Sequence, residues 1–217
     1  MKLVWSPETA SKAYIDTVKS CEVFEESSVA ELVSAMVGGW KAQLIVEMWC
    51  HGGVITTSIG LVRASHHTGG RHVCVVPEER SRLAYVKAMD EVGISPEVIV
   101  GEVEEVMGAL MGIDFLVADC RQKDFSRILR FAKLSHRGAV LVCKNASPRN
   151  NSGFRWRSVL DSSARVVRTA YLPVGEGLEM AHVAATSSGG SLSSGTKVSR
   201  WVRHMDHESG EEHVYRR

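Results

Sequence analysis

Two kinds of hydrophobic run alternate along the chain. Short apolar stretches bounded by polar residues read as strands buried on both faces: Leu44 to Val46, Arg71 to Val76, Val98 to Val100, Ile113 to Ala118 and Ala139 to Val142. Between them lie stretches whose apolar residues recur at helical spacing. Ile55, Ile59 and Val62 share a face, as do Leu83, Val86 and Met89, with Tyr85 beside them. Further helices are predicted over 102–111, 125–134 and 154–160. Buried strands alternating with helices of roughly 10–15 residues predict an α/β fold with a doubly wound, mostly parallel sheet. Arg165 to Pro173 and Leu178 to Ala184 are β-rich runs joined by Val174-Gly175-Glu176-Gly177, which predicts a C-terminal antiparallel hairpin.

Punctuation sets the boundaries. Ser6-Pro7-Glu8 is a helix start, with a capping serine and proline at the first helical position. That helix is expected to run to about Lys19. Ser28 with Glu31 three residues on reads as a capping box, and Gly38-Gly39 reads as the stop of the helix it opens. Thr186 to Thr196 is rich in Ser and Gly and reads as a flexible linker. The tail after it is a small hairpin about Glu208-Ser209-Gly210 or is disordered. The expected organisation is a helical extension over 1–27, an α/β domain over 28–185, and a linker with its tail over 186–217.

Of 217 residues, 44% are hydrophobic and 24% charged, which suits one globular domain with a good core. A formal net charge of +1 exerts no global pull toward nucleic acid or membrane. The distribution is uneven. Ten acids meet three bases between Glu78 and Asp119, whereas twelve bases meet two acids between Arg121 and Arg168. That basic half offers a face for an acidic or phosphate-bearing partner. The five cysteines are odd in number and lack C-x-x-C spacing, which fits a reducing compartment. With no apolar run near the ~20 residues of a bilayer span and no signal-peptide core, the expectation is a soluble protein of the cytoplasm or nucleus.

The chemistry centres on Gln43 to Gly60, a strand that ends in Glu47, a turn with Gly52 and Gly53, and then a helix. Such a turn exposes backbone N–H groups at a helix N-terminus, where an anion or polar ligand can sit. This pattern resembles the S-adenosylmethionine-dependent methyltransferase fold, and within it the small-molecule O-methyltransferases of the catechol and caffeoyl-coenzyme A type. The nearest resemblance is to a plant family of methyltransferase-like proteins with no established function. It covers about Ser28 to Ala185, and its best single match is Leu172-Pro-Val-Gly-Glu-Gly-Leu178, the turn between that family's last two strands. The resemblance implies a Rossmann-like sheet of about seven strands and S-adenosylmethionine as cofactor, held by Glu47, Gly52, Gly53, Glu78, Gly101 and Asp119. Asp119 and Asn145 match two of the family's metal-binding positions.

Departures from the family pattern matter as much. Trp49 stands where the family has a glycine, and Val76 replaces the acid that holds the ribose hydroxyls. Glu78, two residues on, substitutes only if the chain stays extended past Pro77. Gln122 occupies the place of a basic lysine, and Lys144 replaces the second metal-binding aspartate. A hard divalent cation wants several oxygen ligands of net negative charge, so the expectation is a site without metal. Lys144 either takes the cation's place and pairs with Asp119 or points to solvent. Trp49 and Val76 either fill a disused ligand site or mark an altered cofactor pose. His51 in the turn suits proton transfer, although a loop histidine with no such task is the commoner case. His66 and His67 end a helix, and His204, His207 and His213 with Asp206 and Glu208 fit no closed zinc pattern. Phe154-Arg155-Trp156-Arg157 is either a phosphate-gripping cluster or an amphipathic helix. Two functions stay open: a divergent, metal-independent methyltransferase acting on a small molecule, or a catalytically silent relative that binds through the basic stretch with Arg149, Arg155 and Arg157.

Overall fold

The computed structural model describes residues 5–122, 125–146, 155–160, 164–185, 201–205 and 212–216. The chain divides into two compact units, Met1–Thr186 and Ser187–Arg217. In the first, α1 (Pro7–Ser20) and α2 (Ser28–Trp40) precede β1 (Leu44–Met48), α3 (Thr56–Thr68), β2 (Arg71–Val76), α4 (Glu79–Glu91) and β3 (Val98–Val100). Then come α5 (Val103–Ala109), β4 (Met111–Ile113), β5 (Phe115–Asp119), α6 (Phe125–Phe131), β6 (Lys133–Leu134), β7 (Ala139–Lys144), α7 (Trp156–Val159), β8 (Val166–Leu172) and β9 (Leu178–Val183). The main sheet has seven strands in the order β3-β2-β1-β5-β7-β9-β8. All its pairings are parallel except β7 with β9 and β9 with β8. The doubly wound sheet with an antiparallel end is therefore as the hydrophobic pattern predicts.

Alternation along each strand splits the core in two. Val46, Leu116 and Leu141 meet Val106 and Met107 of α5 and Ile128 and Leu129 of α6 on one face. Ile45, Val117 and Val142 meet Val33 and Val37 of α2 and Leu61 of α3 on the other. Ala13 of α1 belongs to that second cluster, so α1 is packed into the same compact unit as the sheet.

Three expectations change. The run read as one strand from Ile113 to Ala118 breaks at Asp114. A single carboxylate oxygen of Asp114 accepts from the backbone N–H of Gln43 (2.8 Å) and Leu44 (3.3 Å) and from Arg137 (2.8 Å), which pins the start of β1. Met111–Ile113 pairs instead with Lys133–Leu134 in a separate two-stranded sheet, which also ends the two flanking helices early. Second, Ser27 rather than Ser28 is the residue before α2, and its hydroxyl donates to the Glu31 carboxylate (2.6 Å) instead of capping the backbone.

Third, Gly38-Gly39 does not stop α2, which continues to Trp40 and ends at Lys41 in the left-handed region (φ 50°). The glycines are there for close packing. A Cβ on Gly38 would lie 2.6 Å from the Thr9 carbonyl oxygen of α1, and one on Gly39 would lie 2.2 Å from the Trp5 indole. Trp5 in turn packs edge-on to Trp40 at 5.7 Å. Gly38→Ala is therefore expected to destabilise the fold by about 2 kcal/mol through overpacking, despite alanine's better helix propensity. A urea titration of the variant checks this, and an unchanged midpoint would show that α1 is not held against α2 in this way.

In the second unit, β10 (Trp201–Met205) pairs antiparallel with β11 (Glu212–Arg216), with His204 opposite His213. The tail hairpin is thus present. The linker expected over 186–196 and His207 lie outside the described residues, as do Phe154 and Arg149. No helix among the described residues is long and apolar enough to cross a membrane.

Candidate functional site

Crossover connections leave β1 toward β2 and leave β5 toward β7, in opposite directions along the sheet. A crevice opens at such a switch point, beyond the C-terminal ends of the strands. Alternation sets which side chains face it. Glu47, Asp119 and Lys144 follow Ile45, Val117 and Val142 by two residues, so all three project from the face that carries α1–α3.

Glu47 is 1% exposed. Tyr85, from α4, donates its hydroxyl to Glu47 Oε1 at 2.7 Å. His72 Nε2 lies 3.1 Å from the same oxygen. Burial pushes the Glu47 carboxyl up, but His72, Lys144 and the Tyr85 hydroxyl together outweigh it and hold the group below its ordinary range. Burial and the Glu47 charge push the Tyr85 phenol far above its usual value, so Tyr85 is a permanent donor.

Trp49 is buried, with its indole packed against the Tyr85 ring at 5.2 Å. Among the described residues its Nε1 has no hydrogen-bond partner. A Cβ on Gly53 would stand 2.8 Å from that nitrogen, so the bareness of Gly53 is needed by the indole beneath it. Gly52, at φ 84°, takes the turn itself, and His51 and Val54 are exposed. α3 begins at Thr56 with no side-chain cap, and Thr56, Thr57 and Ser58 are buried there.

At the end of β2, Val76 is fully buried in the cluster that holds Tyr85 and Met89. Glu78 is exposed and extended (φ −152°, ψ 161°) at the start of α4. Gly101 donates its N–H to the Val76 carbonyl at 3.1 Å, and a Cβ there would meet a Val106 methyl at 2.8 Å.

Asp119 is 8% exposed and fully engaged. Its oxygens accept from the Arg121 backbone N–H (2.9 Å), the Arg121 guanidinium (3.2 Å) and Asn145 Nδ2 (2.7 Å). Burial pushes this carboxyl up too, and Arg121, Asn145 and Lys144 bring it below its ordinary range. Asn145 sits at φ 59°, a left-handed conformation asparagine tolerates better than most residues. The Asp119 carboxylate, and through space Glu176 in the turn between β8 and β9, push the Arg121 guanidinium above its ordinary range. Ala146 donates its N–H to the Gly177 carbonyl (3.0 Å), which ties that turn to the loop after β7. Gln122 is half-buried, and its backbone N–H donates to the Asp119 carbonyl at 3.0 Å.

The expected pairing of Lys144 with Asp119 is corrected here. Asp119 takes Arg121 as its ion-pair partner. Lys144 is only 8% exposed and acts through space on both Glu47 and Asp119. Three residues that complete the site escaped the sequence reading as site residues. Arg121 was signalled only by its place two residues after Asp119, while Tyr85 and His72 carried no local signal. The basic stretch is partly spent as well, since Arg121, Arg127 and Arg137 pair with Asp119, Glu104 and Asp114. Among the described residues no group of three His, Cys, Asp or Glu is placed to hold a metal ion.

A family model described as "Protein of unknown function (DUF1442)" matches residues 1–217. No curated protein matches the chain. Among solved structures, a methyltransferase from Geobacter sulfurreducens is similar at 20% identity and a TM-score of 0.58, over 80% of this chain and 88% of that one. The O-methyltransferase TomG from Streptomyces achromogenes, in complex with S-adenosylmethionine, is similar at 19% identity and a TM-score of 0.54, over 84% and 92%. An O-methyltransferase from Bacillus cereus, in complex with S-adenosylhomocysteine, is similar at 16% identity and a TM-score of 0.52, over 83% and 93%. The seven-stranded sheet is thus that of the Rossmann-like methyltransferases.

Proposed function

The chain belongs to the DUF1442 family, and from that premise we propose that it binds S-adenosylmethionine across the C-terminal ends of β1, β2 and β5 and transfers its methyl group to a small molecule without a divalent cation. The strand order, with its switch between β1 and β5 directly beside the Gly52-Gly53 turn, carries this reading. Gly52, Gly53 and Gly101 let the backbone approach a ligand at this edge. Asp119 lines it, and Glu78 is the acid available to the ribose hydroxyls now that Val76 is sealed in the core. Glu47 supports the site from below through Tyr85. The bound cofactor would supply an electrophilic methyl group.

The donor set does not fit a divalent metal. The one carboxylate at the family's metal position is already bonded by a guanidinium and an amide, and an ammonium stands at the second position.

Calorimetric titration of the full chain tests the reading. S-adenosylmethionine and S-adenosylhomocysteine are expected to bind saturably, with a Kd on the order of 10 µM. EDTA or added Mg2+ is expected to leave that value unchanged. Glu78→Gln is expected to weaken binding by roughly tenfold, the worth of a hydrogen bond to a charged group. No saturable heat from either ligand at about 1 mM, in protein shown folded by circular dichroism, would overturn the proposal.

A further inference from the structure

The least used strong donor at this edge is the Lys144 ammonium. The side chain is 8% exposed, yet it has neither a hydrogen bond nor an ion pair among the described residues. Nearby, Asp119 accepts from Arg121 and Asn145, and Glu47 Oε1 accepts from Tyr85. Both carboxylates still place Lys144 in a favourable field, without bonding it. A nearly buried lysine whose ammonium donors are unspent on the described residues is free to take a ligand oxygen.

We propose that Lys144 is a recognition site for a single carboxylate group, borne by the molecule that enters this crevice. The chemistry selects the ligand. At neutral pH a carboxylate is already charged, whereas a hydroxyl must first lose a proton. A dianionic phosphate asks for a second cation or a guanidinium fork. The Arg121 guanidinium is already committed to Asp119. Glu47, Asp119 and Glu176 tolerate one negative charge beside Lys144 better than two. The inference rests on the methyl-transfer reading only in calling the carboxylate-bearing molecule a substrate.

The 217-residue chain is titrated with sodium benzoate, with its neutral isostere benzamide, and with inorganic phosphate. Benzoate is expected to bind, and Lys144→Met to weaken it by about tenfold or more. Lys87→Met, on the exposed side of α4, is expected to leave it unchanged. Benzamide and phosphate are expected to bind more weakly than benzoate. Should Lys144→Met fail to fold, wild-type protein labelled with 13C at lysine Cε gives the same answer, because benzoate should shift the Lys144 resonance ahead of the others. Benzoate binding that survives in Lys144→Met, a preference for benzamide or phosphate, or an unmoved Lys144 resonance would each overturn the proposal. A parallel titration with S-adenosylhomocysteine separates the two readings. Loss of that heat with benzoate binding intact defeats the cofactor reading alone, and the converse defeats only the carboxylate site.

Discussion

Replacing Glu47 with alanine is expected to lower the unfolding free energy by about 3 kcal/mol, because it strands the buried Tyr85 hydroxyl and removes the negative charge beside Lys144. Glu47→Gln keeps an acceptor for Tyr85 and is expected to cost about 1 kcal/mol. Urea denaturation of both variants against the wild type measures this. The pH dependence carries a further signature. The folded-state carboxyl lies below its ordinary value of 4.5. Its contribution is therefore fully present above that value and is lost as the pH falls toward the folded-state one. Wild-type stability should thus fall more steeply than that of Glu47→Gln on acidification below about pH 5. Parallel curves, or a loss under about 1 kcal/mol for Glu47→Ala, would show that the carboxylate is not what holds Tyr85.

Trp49→Ala is expected to cost about 4 kcal/mol, as for other large aromatic truncations in a packed core. Trp49→Phe is expected to cost under about 1 kcal/mol. The phenyl ring keeps the tilted contact with Tyr85 and the cover beneath Gly53, and it removes an indole N–H that is buried without an acceptor among the described residues. Thermal and urea unfolding of the two variants decide it. A phenylalanine as damaging as the alanine would mean that the indole N–H is bonded after all.

These expectations rest on contacts that differ in how visible they are along the chain. The strands were legible because burial on both faces leaves a local mark, an unbroken apolar run such as Val73 to Val76 or Ala139 to Val142. The closing hairpin was legible from Val174-Gly175-Glu176-Gly177, since a turn is made by neighbours. The acid at the end of β1 and the glycines after it were legible for the same reason. Side-chain partnership leaves no such mark. Tyr85 and His72 reach Glu47 only because α4 covers the sheet there and β2 lies alongside β1. Asp119 had two basic candidates, Arg121 and Lys144, and side-chain reach across a parallel register decided for Arg121.

Glycine shows the division plainly. Gly38 and Gly39 look like a helix stop to any rule that counts local propensity. They are in fact the places where α1 and Trp5 come too close for a Cβ. Periodicity and turn chemistry act over a few residues, so the sequence by itself determined the order of the main-sheet strands and the edge at which the candidate site lies. Distances between groups tens of residues apart depend on packing and register, so only the tertiary structure decided which charges pair and which ring lies beneath the glycine turn.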